Sequence, residues 1–150
     1  MLHGSEIQTV DPVNIQRLLT HLQTDPCEPS EVVHNLKLME RSGNTYLAVA
    51  IGTGSIITGM ATINYNPIPS GVFGMIDDVV KLPEASGGTG RQLVRLVCNH
   101  AFSQMNARFT MLKSNETRVY ARNMYAELGF WEQDTDVFRV DSADWVSDVS

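Results

Sequence analysis

The chain has 150 residues, 43% of them apolar, and a formal charge of −6. That length suits a single domain spanning residues 1–150 with one sizeable core, and the composition excludes a disordered chain. No apolar run reaches the roughly 18 residues of a membrane helix, and no basic cluster offers a nucleic-acid footprint.

The first residues, MLHGSEIQTVDP, lack the basic-then-apolar layout of a signal peptide, so a cytoplasmic location is expected. Cys27 and Cys98 are the only cysteines, and a disulfide framework is not expected there. Cys98 falls in a helical apolar pattern and reads as a small core residue. His21 and His34 have no partner at metal-ligand spacing, so no metal site is expected.

Residues 5–10, SEIQTV, alternate polar and apolar and predict a short first strand. Asp11 and Pro12 open a helix as N-cap and first-turn proline, with Ile15, Leu18, Leu19 and Leu22 on one face. A second helix restarts at Ser30-Glu31, buries Val33, Leu36 and Met39, and ends at Gly43-Asn44. From Thr45 the character changes. TYLAVAIG and SIITGMATINY flank Gly52-Thr53-Gly54 as a hairpin, and residues 66–71, with Pro67 and Pro69, predict a loop.

The strand VFGMIDDVVK then runs into Leu82-Pro83 and the turn Ser86-Gly87-Gly88-Thr89-Gly90, with a helix from Arg91 onward. Strand, glycine turn and helix in that order make an anion site from backbone N–H groups, and glycines let a phosphate approach closely. A strand over 108–113, a helix over 117–128 closed by Gly129, and a last strand over 135–140, TDVFRV, complete the chain. The order β-α-α-β-β-β-α-β-α-β implies an α/β fold, a mixed sheet with helices on both faces.

Two stretches carry a resemblance. Asp77-Asp78-Val79-Val80-Lys81-Leu82-Pro83 with Ser86-Gly87-Gly88-Thr89-Gly90 is similar to the phosphate-loop signature of the GNAT superfamily of N-acetyltransferases. After one helix and one strand, Ala121-Arg122-Asn123-Met124-Tyr125-Ala126-Glu127-Leu128-Gly129-Phe130 resembles that family's later motif, with Met124 in place of its first aromatic. The loop departs from the family pattern at its start, where Ala85 or Ser86 stands in place of Arg or Gln. Arg91 partly replaces that basic side chain.

The resemblance implies a mostly antiparallel central sheet that splays between its fourth and fifth strands. It also implies acetyl-CoA as donor and the primary amine of a small molecule as acceptor, joined by direct attack. Ser86, Gly87, Gly88, Thr89, Gly90 and Arg91 would bind the pyrophosphate, and the backbone of Val79 and Val80 would pair with pantetheine. Tyr125 would protonate the departing thiolate, since a phenol of pKa about 10 stays protonated at neutral pH. An alkyl amine has a pKa of about 10.4, so Asp77 or Asp78 is a candidate base or water-positioning group. By simple strand alternation these two acids point to opposite faces.

The acceptor pocket would draw on Tyr46, Tyr65, Phe73 and Trp131, or these aromatics are core. His100 reads as packed. The resemblance also allows a homodimer. The alternatives are peptide acetylation, a non-catalytic CoA- or small-ligand-binding module of the same fold, and a Rossmann-type nucleotide domain, which lacks its acidic partner residue here.

Overall fold

The computed structural model of the chain describes residues 10–22 and 27–145. The strand expected over 5–10 falls outside them, apart from Val10, which is buried. Helix α1 spans Pro12–Thr20, and the Asp11 carboxylate accepts the Val13 N–H at 3.0 Å, satisfying a donor that the first turn leaves open. Helix α2 spans Pro29–Ser42, where Glu31 accepts the Glu28 N–H at 2.8 Å. It stops at Gly43, whose φ of +63° suits glycine.

Strands β1 (Thr45–Ile51), β2 (Ile57–Ile68), β3 (Gly71–Lys81) and β4 (Phe109–Leu112) form one sheet in that order. The first three run antiparallel and β4 lies parallel to β3. Helix α3 (Thr89–Gln104) makes the parallel crossover, and α4 (Val119–Glu127) follows β4. Side-chain alternation sends Leu47, Val49, Met60 and Val80 toward α1 and α2, and Ala48, Ala61, Ile63 and Ile76 toward α3. Fully buried side chains such as Leu18, Ile63 and Leu93 stabilise the fold by about 1.5–3 kcal/mol each.

Two sequence expectations are corrected. Residues 66–68 continue β2 rather than forming a loop, and Pro67 pairs with Val72. Pairing of β1 with β2 begins only at Thr45–Asn64, so beyond it a proline's missing N–H costs no ladder bond on that side. The segment 135–140 is not a strand. It joins no sheet, and Val137, Phe138 and Val140 are 65%, 93% and 58% exposed. Alternation alone does not make a strand of a segment that pairs with no neighbour.

The expected splay is present. Parallel pairing runs from Phe73–Phe109 to Ile76–Leu112, where β4 ends, while β3 continues to Lys81 with, among the described residues, only β2 beside it.

Candidate active site

The open edge of β3 begins at Asp77. Opposite it on β2, Thr62 pairs with Asp77 and Met60 with Val80, so Ala61 faces both Asp78 and Val79. That extra residue is a β-bulge, and Asp78 absorbs it with a φ of +51°, a left-handed conformation that Asp tolerates better than most residues. Simple alternation is therefore interrupted at Asp78 and Val79, which share one partner on β2.

Asp77 stays in register with the polar side chains of β2. Asn64 Nδ2 donates to Asp77 Oδ2 at 3.3 Å, the Thr45 hydroxyl donates to Asn64 Oδ1 at 2.7 Å, and the Thr62 hydroxyl donates to the Asp77 carbonyl at 3.0 Å. The Asp78 residue has exposed surface, yet the protein packed about its carboxyl raises its pKa by desolvation, with the neighbouring Asp77 charge adding to the rise.

The glycine turn folds on itself through Thr89, whose hydroxyl donates to the Ser86 carbonyl at 2.8 Å and lies 3.1 Å from the Ser86 hydroxyl. Gly88 caps α3 with a φ of +84°. Among the described residues, the N–H groups of Gly87, Gly88, Gly90 and Arg91 have no backbone acceptor. A Cβ built on Gly87 or Gly88 would meet nothing within 4 Å, so the turn is open to a ligand on that side. Thr89 is buried and its side chain is committed to the turn. The Arg91 guanidinium is paired with Glu127 on α4 rather than standing free at the loop.

Tyr125 sits beneath the splay. Its ring is buried with Met124 and Val94, against Val79 of β3 and Leu112 of β4, and meets Phe130 edge-on at 6.0 Å. Its hydroxyl has no hydrogen-bond partner among the described residues. Burial raises the phenol's pKa, outweighing the nearby Arg118 charge that lowers it. The cluster holding Tyr125 adjoins both the turn and β3: Met124 lies 3.7 Å from where a Cβ on Gly90 would stand, and Val79 packs against the cluster.

The candidate aromatics do not converge there. Tyr46 stacks on His100 at 3.9 Å and Tyr65 hydrogen-bonds the His100 ring, so both belong to the core under α3, and desolvation raises both phenol pKa values. Phe73 stacks on Phe109, and Trp131 is exposed. Cys98 packs beside Thr110, with burial pushing its thiol up. Sequence reasoning missed Asn64, Thr45 and Thr62, although polar residues at alternate positions of an apolar strand were a signal. It also missed Ser114, just past β4, whose buried hydroxyl has no partner among the described residues.

A sheet that opens beside a glycine-rich helix N-terminus defines a protein that binds a phosphate-bearing, strand-like ligand. The family model described as the acetyltransferase (GNAT) family matches residues 14–130. The fold is similar to an acetyltransferase from Trypanosoma brucei, 26% identical, with a TM-score of 0.72 over 87% of this chain and 92% of that one. It is similar also to glucosamine-6-phosphate N-acetyltransferase from Arabidopsis thaliana, 16% identical, with a TM-score of 0.71 over 87% and 94%. A predicted acetyltransferase from Clostridium acetobutylicum, solved with acetyl-CoA, is 15% identical with a TM-score of 0.69 over 95% and 94%. No curated protein matches the chain. The chain belongs to the acetyltransferase (GNAT) family.

Proposed function

We propose that residues 1–150 act as a single N-acetyltransferase domain, moving the acetyl group of acetyl-CoA directly to the primary amine of a small molecule. The observation that carries this reading is that, among the described residues, β3 from Asp77 to Lys81 is unpaired on its β4 side, with Val79 packed on the cluster of the buried Tyr125, and that the turn following β3 has four N–H groups without a backbone acceptor. Gly87, Gly88, Gly90 and Arg91 bind the pyrophosphate through backbone, with Ser86 and Thr89 shaping the turn. The backbone at Val79 and Val80 pairs with the pantetheine arm as a further strand would.

Bound acetyl-CoA supplies an activated acyl group on a thioester. A backbone N–H at the splay polarises the acyl carbonyl as an oxyanion donor does. Asp77 or Asp78 receives the ammonium and takes its proton directly or through water, and the raised pKa of Asp78 suits it to accept a proton. Tyr125 holds its proton at neutral pH and gives it to the departing sulfur. The reaction belongs in the cytoplasm, and the active form is a homodimer.

Arg91 held by Glu127 favours the second reading, a CoA- or small-ligand-binding module without turnover, because it leaves the loop with backbone donors alone. Calorimetry with acetyl-CoA, followed by thiol release across an amine panel, separates the two. Absence of binding at millimolar acetyl-CoA defeats both readings, and binding without thiol release on any amine leaves the module.

A further inference from the structure

Among the described residues, α1 and α2 cover only one end of the sheet face they pack on. Met60 of β2 belongs to the cluster under these helices, and Thr62 and Asn64 follow it by alternation on the same side. Their ladder partners on β3, Asp77 and Met75, share that side, as does Phe73 two residues on. Met111 and Phe109 of β4 stand opposite Met75 and Phe73. These two methionines and two phenylalanines join none of the three buried clusters, and Phe109 is 45% exposed. This end of the face is therefore an apolar floor that no helix covers.

Two opposite charges stand at its inner margin. The last parallel pair is Ile76–Leu112, so Asp77 and Lys113 are the next residues on the two strands, where the strands part. Leu112 packs on the cluster of Tyr125, and Ser114 has a buried hydroxyl, so Lys113 between them turns to the opposite side, the side of Asp77. Both residues are exposed, and among the described residues neither has an ion pair, with the other or elsewhere. Asn64 Nδ2 donates to the Asp77 carboxylate at 3.3 Å, and the Thr45 hydroxyl fixes that amide by donating to its oxygen. One donor leaves most of the carboxylate's acceptor sites for a ligand.

We propose that the acceptor is a free amino acid with an apolar side chain, its ammonium on Asp77, its carboxylate on Lys113 and its side chain on Met75 and Met111. This rests on the acetyltransferase reading and deepens it by naming the acceptor class. A zwitterion complements both unpaired charges at once, whereas a simple cationic amine on Asp77 meets repulsion from Lys113. An amidated amino acid or a peptide N-terminus lacks the carboxylate that Lys113 would hold.

The spacing suits one residue. A strand rises about 3.3 Å per residue, so the methionine pair lies about 7 Å along the strands from the charged pair. The side chain of a single amino acid reaches that far, and the stacked pair Phe73 and Phe109 lies two residues further out. Methionine adapts its shape to what lies on it and makes favourable contacts with aromatic rings, so the floor accepts leucine, methionine or phenylalanine side chains alike. With Asp77 engaged by the ammonium, Asp78 is left to take the proton.

Thiol release with leucine, methionine and phenylalanine, each beside its amide and its decarboxylated amine, tests this. At least one of the free amino acids should show a higher kcat/KM than both of its analogues. Lys113→Gln should cut that preference by about five- to tenfold, mainly through KM, the worth of one charge-assisted contact at an exposed site. The decarboxylated amines should be turned over no more slowly by the variant. Its Tm and its calorimetric Kd for acetyl-CoA should hold, because Lys113 is exposed and unpaired. Calorimetric binding of the amino acid to enzyme saturated with CoA should weaken by the same factor, a readout independent of turnover. Thiol release on no amine at all defeats the acetyltransferase reading itself. Turnover in which no free amino acid exceeds its amide, or a preference that survives Lys113→Gln, defeats this acceptor class.

Discussion

Removing one oxygen atom isolates the proposed acid. In Tyr125→Phe the ring keeps its buried contacts with Val94 and Met124 and its edge-on packing against Phe130, while the lost hydroxyl has no hydrogen-bond partner among the described residues. Stability should therefore change by no more than about 0.5 kcal/mol, the range of a substitution that disrupts no packed or hydrogen-bonded feature. A positioned general acid contributes about 10²- to 10⁴-fold to the rate, equivalent to about 2.7–5.4 kcal/mol of transition-state stabilisation. The expected signature is a kcat lower by that factor, with the calorimetric Kd for acetyl-CoA and the Tm both unchanged.

Tyr125→Ala would not serve, because deleting a buried aromatic ring costs about 3–5 kcal/mol of fold stability and confuses the two effects. The pH dependence gives a further handle. Only the protonated phenol can donate, and burial raises its pKa above the usual value, so Tyr125 should not limit activity anywhere in the neutral or mildly alkaline range. A folded Tyr125→Phe enzyme with wild-type kcat would remove Tyr125 from the acid role.

Gly87→Val tests the phosphate turn: the new Cβ meets nothing within 4 Å of the protein, so Tm should hold while the calorimetric Kd for acetyl-CoA rises. Glu127→Gln frees the Arg91 guanidinium, and since exposed ion pairs are worth roughly 0.2–1 kcal/mol, acetyl-CoA affinity should improve by no more than about fivefold. Asp78→Asn probes the raised carboxyl. A folded-state pKa above the unfolded one means that ionised Asp78 destabilises the fold once pH passes the folded pKa, and costs nothing below the unfolded pKa. The Tm gain of the variant over the wild type should accordingly be larger at pH 7 than at pH 3, and an equal difference at both would show that Asp78 is not strained by ionisation.

Much of the fold was legible because its signals are local. Asp11-Pro12 and Gly43 fix helix ends through backbone geometry that those residue types favour, and the glycine turn announces the start of α3 whatever packs around it. What the sequence misplaced depends on distant partners. Pro67 reads as a loop residue until it is clear that β1 does not extend along that part of β2. TDVFRV reads as a strand because its alternation is right, but alternation says nothing about which edge supplies its hydrogen bonds. Tyr46 and Tyr65 could have lined a pocket or filled a core, and only the fold, by placing His100 between them, decides for the core.

The bulge is the clearest case of a feature that no residue in the motif declares. Asp77-Asp78 on a regular strand would put one carboxylate on each face, and at most one could serve the crevice. The inserted residue instead opposes Ala61 to both Asp78 and Val79, and it does so at the point where β4 has just ended. A bulge bends its strand and increases its twist, which turns β3 away from β4 as the parallel ladder stops. The same residue therefore contributes to the gap that a strand-like ligand needs and places a carboxyl of raised pKa at its margin. Asp77 accepts from Asn64, which Thr45 orients, and the charge of its carboxylate adds to the rise in the Asp78 pKa. Two neighbouring acids with different surroundings can then divide the work, one attracting an ammonium and the other, of raised pKa, taking its proton.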